Sequence, residues 1–128
     1  MKNQTEEKTL TRAEMEVMNV LWDHDNGITT HEIVSYYPDP KPAYTTIATF
    51  LKILTTKGFI SFQKRADCGK SYHYYPLITR TEYTSRFMKE VKTTLFGGSA
   101  KSMVSFFMQQ EKISDQELHE ILSIIKDS

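Results

Sequence analysis

One side of a predicted helix carries Thr45, Thr49, Lys52 and Thr56, whose side chains could bind nucleic acid. Their spacing of three or four residues places them on one face, because an α-helix turns once in about 3.6 residues. Hydroxyls beside an ammonium group suit a major groove, where base edges and phosphates offer mostly acceptors plus the thymine methyl. We therefore expect this face to present donors outward. An ordinary solvated helix face has the same composition, so the helix alone leaves both interpretations open.

The helix that positions these groups is predicted over residues 43–57, and Gly58 ends it. Its other side carries an apolar stripe at the spacing of a buried helix face. The members of this stripe are Ile47, Phe50, Leu51 and Leu54. A core on that side would hold the helix and leave the polar side accessible.

After Gly58 the pattern alternates, which predicts a strand with Ile60 and Phe62 on one face. A polar turn over residues 64–70 follows, and residues 71–75 are rich in strand formers before Pro76. The sequence therefore predicts an antiparallel hairpin. Its cations near the turn are Lys64, Arg65 and Lys70.

Positive charge is concentrated in the middle of a chain whose net charge is zero. Residues 41–80 hold seven Lys/Arg against one Asp/Glu, a net charge of +6, while residues 1–40 are at −5 and residues 81–128 at −1. Clustered cations attract phosphates with a strongly salt-dependent energy. The alternative is that the seven cations scatter over several surfaces. They are Lys41, Lys52, Lys57, Lys64, Arg65, Lys70 and Arg80.

Four helix starts are indicated by a Ser or Thr with Glu three residues later, the pattern of a reciprocal capping box. These pairs are Thr11/Glu14, Thr29/Glu32, Thr79/Glu82 and Ser114/Glu117. The first helix should end near Asp23 and the second before residues 38–42, which contain three prolines. We expect their buried residues to be Ala13, Val17, Val20, Leu21, Ile33, Val34 and Tyr37. Three helices and a hairpin predict a winged helix-turn-helix domain over residues 1–78.

Residues 79–128 form a predicted helical region with more large apolar groups than three short helices can cover. We interpret it as a dimerisation domain, which makes the fold mainly α with a small antiparallel β wing. A two-fold dimer would place two recognition helices about 34 to 36 Å apart on an inverted-repeat duplex. The alternative is a monomer in which these helices fold back onto the wing domain. The predicted dimerisation residues are Phe87, Val91, Leu95, Met103, Phe106, Phe107, Leu118, Ile121, Leu122 and Ile125.

Several other classes of protein are disfavoured. No apolar run approaches the roughly 20 residues of a membrane span, and the polar N-terminus lacks a signal peptide, so we expect a cytoplasmic protein. The single Cys68 cannot form an internal disulfide, and with His73 it provides too few ligands for a metal. His31-Glu32 and His119-Glu120 begin like a zinc-protease motif, but Ser35 and Ser123 replace the second histidine. We expect no catalytic residue, no metal and no cofactor, and interpret the histidines as surface or cap residues.

A winged helix that binds protein without binding DNA remains an alternative function. Tyr72, Tyr74 and Tyr75 could form a partner surface as readily as they pack a hairpin. The response to salt distinguishes the two, because only DNA binding should weaken by orders of magnitude between about 50 and 200 mM salt.

The chain resembles the penicillinase-repressor (BlaI/MecI) family of transcriptional regulators. The resemblance lies in residues 10–22, in residues 45–51 with Lys57-Gly58, in the strand end from Tyr72 to Pro76, and in residues 102–104 before Ser114. It implies a dimeric winged-helix repressor of dyad operators of the TACA/TGTA kind, with interlocked C-terminal helices. It also implies DNA contacts from Thr45, Thr46 and Thr49 and from the wing cations. Ile53 stands where many members have arginine, and the wing turn is longer here.

In antibiotic-responsive members of that family, a sensor-coupled protease cleaves an Asn-Phe bond in the dimerisation region. Phe106-Phe107 occupies the matching position, so the phenylalanine fits and the asparagine does not. We interpret this pair mainly as core packing and keep cleavage as the alternative. Copper-responsive relatives carry paired cysteines near the C-terminus, and this chain has none there.

Overall fold

The computed structural model describes residues 9–65 and 71–127. Three helices come first: α1 (Arg12–Asp23), α2 (Thr30–Ser35) and α3 (Tyr44–Lys57). The strands β1 (Ile60–Arg65) and β2 (Ser71–Pro76) form an antiparallel hairpin. Three more helices follow, α4 (Arg80–Phe96), α5 (Ala100–Gln110) and α6 (Asp115–Lys126). The predicted mainly helical fold with one small antiparallel wing is confirmed.

Helix starts follow the capping pattern in most cases. At α1 the Thr11 hydroxyl accepts from the Glu14 N–H at 3.2 Å while the Glu14 carboxylate accepts from the Thr11 N–H at 2.9 Å. The same reciprocal pair forms before α2 and before α4. At α6 only the bond from the Glu117 N–H to the Ser114 hydroxyl is present among the described residues.

Two helices begin without the predicted pattern. The residue before α3 is Ala43, which has no side chain able to cap it. The residue before α5 is Ser99, whose hydroxyl accepts from the Ser102 N–H at 3.0 Å. The end of α3 matches the prediction, because Gly58 takes the left-handed conformation with φ 86°. Glycine is favoured there since any Cβ would crowd the backbone at positive φ.

The core of the wing domain joins α1, α2, α3 and the base of the hairpin. Six predicted core residues are buried in it: Val17, Leu21, Ile33, Ile47, Leu51 and Leu54. Five others are only partly buried around it: Ala13, Val20, Val34, Tyr37 and Phe50. Met18, Phe59 and Tyr83 also belong to the buried core. Tyr83 reaches it from α4 and accepts a hydrogen bond from the Leu10 N–H at 3.0 Å.

The hairpin register pairs Ile60 with Pro76 and Phe62 with Tyr74. Ile60 and Phe62 share a face as predicted, but Ile60 is buried whereas Phe62 is 43% exposed, because the core ends at the base of the hairpin. Ile28 bridges to Tyr74 and extends the sheet by one residue pair. His73, the residue before Tyr74 in β2, is 6% exposed, so the interpretation of that histidine as a surface or cap residue was wrong.

The chain divides into two compact units, one ending at Ser85 and the other beginning at Arg86, within α4. The second unit contains the rest of α4 with α5 and α6, and neither α5 nor α6 has a buried residue within the described chain. Its apolar stripes therefore stay largely accessible in a single copy. Within the described residues, no helix is both long enough and apolar enough to cross a membrane.

Candidate nucleic-acid interface

The exposed face of α3 carries the predicted polar stripe. Thr45, Thr49, Lys52 and Thr56 are exposed, and so are Thr46 and Ile53 beside them. On the opposite side Ile47, Leu51 and Leu54 are at most 1% exposed. The tertiary structure therefore brings the five predicted helix contacts to one accessible surface and fixes the helix through its other side.

The hydroxyl groups of this stripe are oriented differently from the prediction. Thr49 Oγ1 donates to the Thr45 carbonyl at 2.9 Å, and Thr56 Oγ1 donates to the Lys52 carbonyl at 3.0 Å. Both hydroxyls already use their protons within the helix, so they offer methyl groups and acceptor lone pairs outward. The expectation of outward threonine donors is therefore wrong for these two. They suit a thymine methyl or a base amino group, or a phosphate after rotation of the side chain.

The predicted wing cations have different environments. Lys64 is exposed near the end of β1. Arg65 instead donates from Nη2 to the Asn26 carbonyl at 2.9 Å, and a Cβ at Gly27 would lie 3.2 Å from the same nitrogen. Arg65 therefore holds the hairpin against the turn between α1 and α2, and glycine leaves room for it. Lys70 lies outside the described residues.

Three more of the central cations are bound within the fold. Lys57 Nζ lies 2.8 Å from a carboxylate oxygen of Glu14. Arg80 pairs with Asp23 at 2.9 Å and lies over the Trp22 ring. Lys41 donates to the Ser35 and Tyr37 carbonyls at 2.9 and 2.6 Å, at the end of α2. Within the described residues, Lys52 and Lys64 remain as the central cations without an acceptor, so much of the local charge excess stabilises the fold.

The Glu14 carboxylate is the buried member of these pairs, with 3% of the residue exposed. Burial raises its pKa, but hydrogen bonds from Lys57 and Thr11 outweigh that effect and lower the pKa below its ordinary value. Glu14 thus closes the capping box of α1 and ties that helix to the end of α3.

Aromatic side chains flank the polar stripe. Tyr44, the first residue of α3, is 46% exposed and its ring centroid lies 4.5 Å from that of His31. On the hairpin, Phe62 packs against Tyr72 and Tyr74. The tyrosines of β2 were predicted as a possible contact surface, whereas Tyr44 and Phe62 were not. The one sequence signal that could have identified them as contact residues is their position beside polar residues. Tyr44 precedes Thr45, and Phe62 stands between Ser61 and Gln63.

The predicted dimerisation residues all lie in the second unit, on α4, α5 and α6. The exposed members are Phe87, Leu95, Phe106, Phe107, Ile121, Leu122 and Ile125, and the partly buried ones are Val91, Met103 and Leu118. Phe106 and Phe107 are 53% and 57% exposed, although the Phe106 ring lies 5.6 Å from Phe96. Neither side chain is buried within one chain, so the interpretation of this pair as packing stays a prediction for the dimer.

Titratable side chains within the described residues form no cluster of three or more suited to a metal ion. His73 is buried in the hairpin with Nδ1 3.3 Å from the Ser71 carbonyl, and Cys68 lies outside the described residues.

Comparison with known proteins gives consistent matches along the chain. A family model described as Penicillinase repressor matches residues 10–127. The Penicillinase repressor of Bacillus licheniformis is 28% identical over 119 residues, which cover 92% of this chain and 90% of that protein. The Methicillin resistance regulatory protein MecI of Staphylococcus aureus (strain N315) is 28% identical over 125 residues, 98% of each. The solved structure of the transcriptional regulator SlyA is 21% identical with a TM-score of 0.47, covering 95% of this chain and 75% of its own.

Proposed function

This chain belongs to the penicillinase repressor family, and we propose that it represses transcription as a homodimer bound to an inverted-repeat operator. The family consists of transcriptional repressors, so this chain is a regulator and not an enzyme. Its target is double-stranded DNA, which makes the cytoplasm its place of action. The contacts come from α3 and from the wing.

The observation that carries the proposal is the two-sided structure of α3. On its apolar side Ile47, Leu51 and Leu54 are buried, while Thr45, Thr49, Lys52 and Thr56 are exposed in line along the other. A recognition helix needs both properties, because the buried side fixes its position and the exposed side must enter a groove. Lys64 on the adjacent hairpin supplies a cation for the flanking phosphates.

The exposed apolar stripes of the second unit support a dimer. Leu95 is 72% exposed and Ile125 is 61% exposed, which is costly for a chain that stays single in water. Pairing two copies through α4, α5 and α6 would cover these groups. It would also present two copies of α3 to one dyad, and binding both half-sites together raises affinity far above that of one.

Relief of repression by proteolysis at Phe106-Phe107 is the finer part of the proposal. The exposure of both side chains supports access by a protease, but both residues lie within α5, so cutting needs local unwinding of that helix. Cleavage there would separate the halves of the dimer and forfeit bivalent binding without touching α3. The expected product in induced cells is a chain truncated after residue 106, which mass spectrometry would identify.

Selection of duplexes from a random pool tests the central proposal. We expect inverted repeats to be enriched, and the affinity for them to fall by about 10³ or more between 50 and 200 mM salt, as it does for proteins with several phosphate contacts. Sedimentation at micromolar concentration should give a dimer. Recovery of no preferred duplex, together with binding that ignores salt, would contradict DNA recognition and leave the protein-binding alternative.

A further inference from the structure

One face of the hairpin carries an aromatic cluster. The DNA contacts proposed for the threonine stripe and the cations give this cluster no role. The register pairs Phe62 with Tyr74 and Lys64 with Tyr72, which puts these four side chains on the same face. The Phe62 ring centroid lies 4.9 Å from that of Tyr72 and 5.7 Å from that of Tyr74. Phe62 and Tyr72 nevertheless remain 43% and 46% exposed. The rings hold one another in place while their outer surfaces stay accessible.

This cluster continues to the start of α3. Burial is the main cause that raises the pKa of Tyr74, and the nearby phenol groups of Tyr44 and Tyr72 raise it further. Contacts agree with this, because Tyr44 packs against His31 of α2 with ring centroids 4.5 Å apart and α2 contacts β2. Tyr44 is followed directly by Thr45 of the polar stripe. The aromatic surface and the helix stripe are neighbours within the first unit.

We propose that this aromatic face, made of Tyr44, Phe62, Tyr72 and Tyr74, is a further DNA-contacting surface that packs on deoxyribose rings beside the groove entered by α3. The inference rests on the proposed DNA-binding function and adds a contact that carries no charge. It assigns the wing a second role besides the attraction of its cations for phosphates.

Two features of the hairpin favour DNA as the occupant of this face. Lys64 stands on the same face, and neither strand contains an Asp or a Glu. A phosphate backbone can therefore approach without meeting a negative charge on the strands. β1 also contacts α3, and both belong to the same compact unit, so a duplex bound at α3 lies within reach of the hairpin.

Sugar rings suit the aromatic face better than bases do. In a duplex the faces of the bases are stacked and hidden, whereas the C–H edges of deoxyribose line the backbone and are accessible. Contact between these edges and aromatic rings removes apolar surface from water and releases no counterions. The energy of this contact should therefore be nearly independent of salt, unlike that of Lys64.

Salt titration of single variants separates the two contributions. The probe is a duplex selected from a random pool with the unmodified chain, with affinity measured between 50 and 200 mM salt. We expect Phe62→Leu, Tyr72→Leu and Tyr44→Leu each to weaken binding by about fivefold at every salt concentration, the loss for about 40 Å² of apolar contact. The slope of log affinity against log salt should stay unchanged. Lys64→Ala should instead reduce the slope by about 0.9, the value for one phosphate.

Matched variants control for general effects of removing a ring. Tyr72→Phe keeps the aromatic ring and should keep the affinity. Tyr36→Leu removes a tyrosine that is 50% exposed, stacks on His24 at 3.9 Å and belongs to neither the hairpin nor α3, and it should also bind normally. Tyr44 lies on α3, so its variant remains informative if a change in the hairpin lowers the melting temperature.

Three outcomes would overturn the inference. If the leucine variants bind as the unmodified chain does while Lys64→Ala loses slope, the wing contacts DNA through charge alone and the aromatic face serves another partner. If the leucine variants reduce the slope, the rings only position Lys64. If the unmodified chain selects no duplex, the proposed function fails as well, a result that differs from the first two because no variant is needed to see it.

Discussion

Lys52 and Arg65 carry the same charge in the same segment, but their surroundings give them different roles. Lys52 is exposed on α3 with no acceptor among the described residues, whereas Arg65 donates to the Asn26 carbonyl at 2.9 Å. A cation that is already bound in the fold gains less from a phosphate, because it must give up its partner first. Clustered charge in a sequence is therefore not equivalent to charge available to a ligand.

Replacement of each cation by alanine should separate DNA binding from stability. Lys52→Ala should reduce the slope of log affinity against log salt by about 0.9 with an unchanged melting temperature. Arg65→Ala should lower the free energy of unfolding by about 1 to 2 kcal/mol through the lost hydrogen bond and leave the salt slope nearly unchanged. Salt titration and thermal unfolding of both variants measure this. Equal loss of slope in the two would show that Arg65 leaves Asn26 to bind phosphate.

Glu14 should make stability depend on acid pH. Its pKa is below the ordinary 4.5 in the folded chain, so the unfolded chain binds its proton first as pH falls. The stabilisation is complete above pH 4.5 and is lost as pH falls through the folded pKa. Glu14→Gln should cost about 1 to 3 kcal/mol at pH 7, because it weakens a buried hydrogen-bonded pair with Lys57, and should flatten the acid dependence.

Chemical denaturation between pH 7 and pH 3 measures this dependence. The matched control is Glu32→Gln in the capping box of α2, whose carboxylate is exposed and has no lysine partner within the described residues. Its effect should be smaller. A Glu14→Gln chain as sensitive to acid as the unmodified one would assign the dependence to other carboxylates.

At the level of elements, the junction between α3 and β1 couples the proposed recognition helix to the wing. Gly58 ends the helix at φ 86°, its N–H donates to the Thr55 carbonyl at 3.1 Å, and the buried Phe59 and Ile60 follow at once. Gly58 thus redirects the chain from α3, whose exposed side is polar, to the hairpin, which carries the aromatic face. The relative placement of these two candidate contact surfaces depends on that turn.

Substitution of Gly58 should destabilise this junction through backbone strain alone, since a Cβ there would meet no atom within 4 Å. Gly58→Ala should cost about 1 to 2 kcal/mol, the penalty for a left-handed L-residue. Gly58→Asn should cost less, because asparagine adopts this conformation more readily. Denaturant unfolding of the two variants gives the comparison. An alanine variant as stable as the unmodified chain would mean that the turn relaxes to negative φ.

At the level of the whole molecule, the two units differ in how much of their apolar surface is buried. The first unit builds a buried core from α1, α2, α3 and the hairpin, while α5 and α6 have no buried residue within the described chain. Removal of apolar area from water is the main force that holds protein elements together, and this supports the proposed pairing of the second unit with a second copy.

A charge placed on the apolar side of α6 should separate the proposed dimer. Leu122→Asp should shift sedimentation at micromolar concentration from dimer to monomer, because an unpaired carboxylate is costly to bury in an interface. Loss of bivalent binding should then weaken operator affinity by about 10² to 10⁴. Ser123→Asp, on the other side of the same helix by spacing, is the control and should stay dimeric. A dimeric Leu122→Asp chain would place the interface elsewhere.

The order of the elements could be read from the residues because its signals are local. A capping box spans four residues, Gly58 acts on its own backbone, and the alternation that predicts β1 needs only the next few positions. The polar stripe of α3 was likewise predictable, since helical spacing alone places Thr45 and Thr49 on the side of the helix opposite Ile47 and Leu51. The same reasoning missed the start of α5, where Ser99 caps the helix without a glutamate three residues on.

Which side chains are available for binding was decided only by the tertiary structure. Lys57 meets Glu14, Arg65 meets Asn26, and Arg80 meets Asp23, each partner lying 39 or more residues away in the chain. No periodic pattern encodes such pairs, because they depend on how separate elements pack. The aromatic face is of the same kind, since Tyr44 and Phe62 come near Tyr72 and Tyr74 only when the hairpin folds back beside α3.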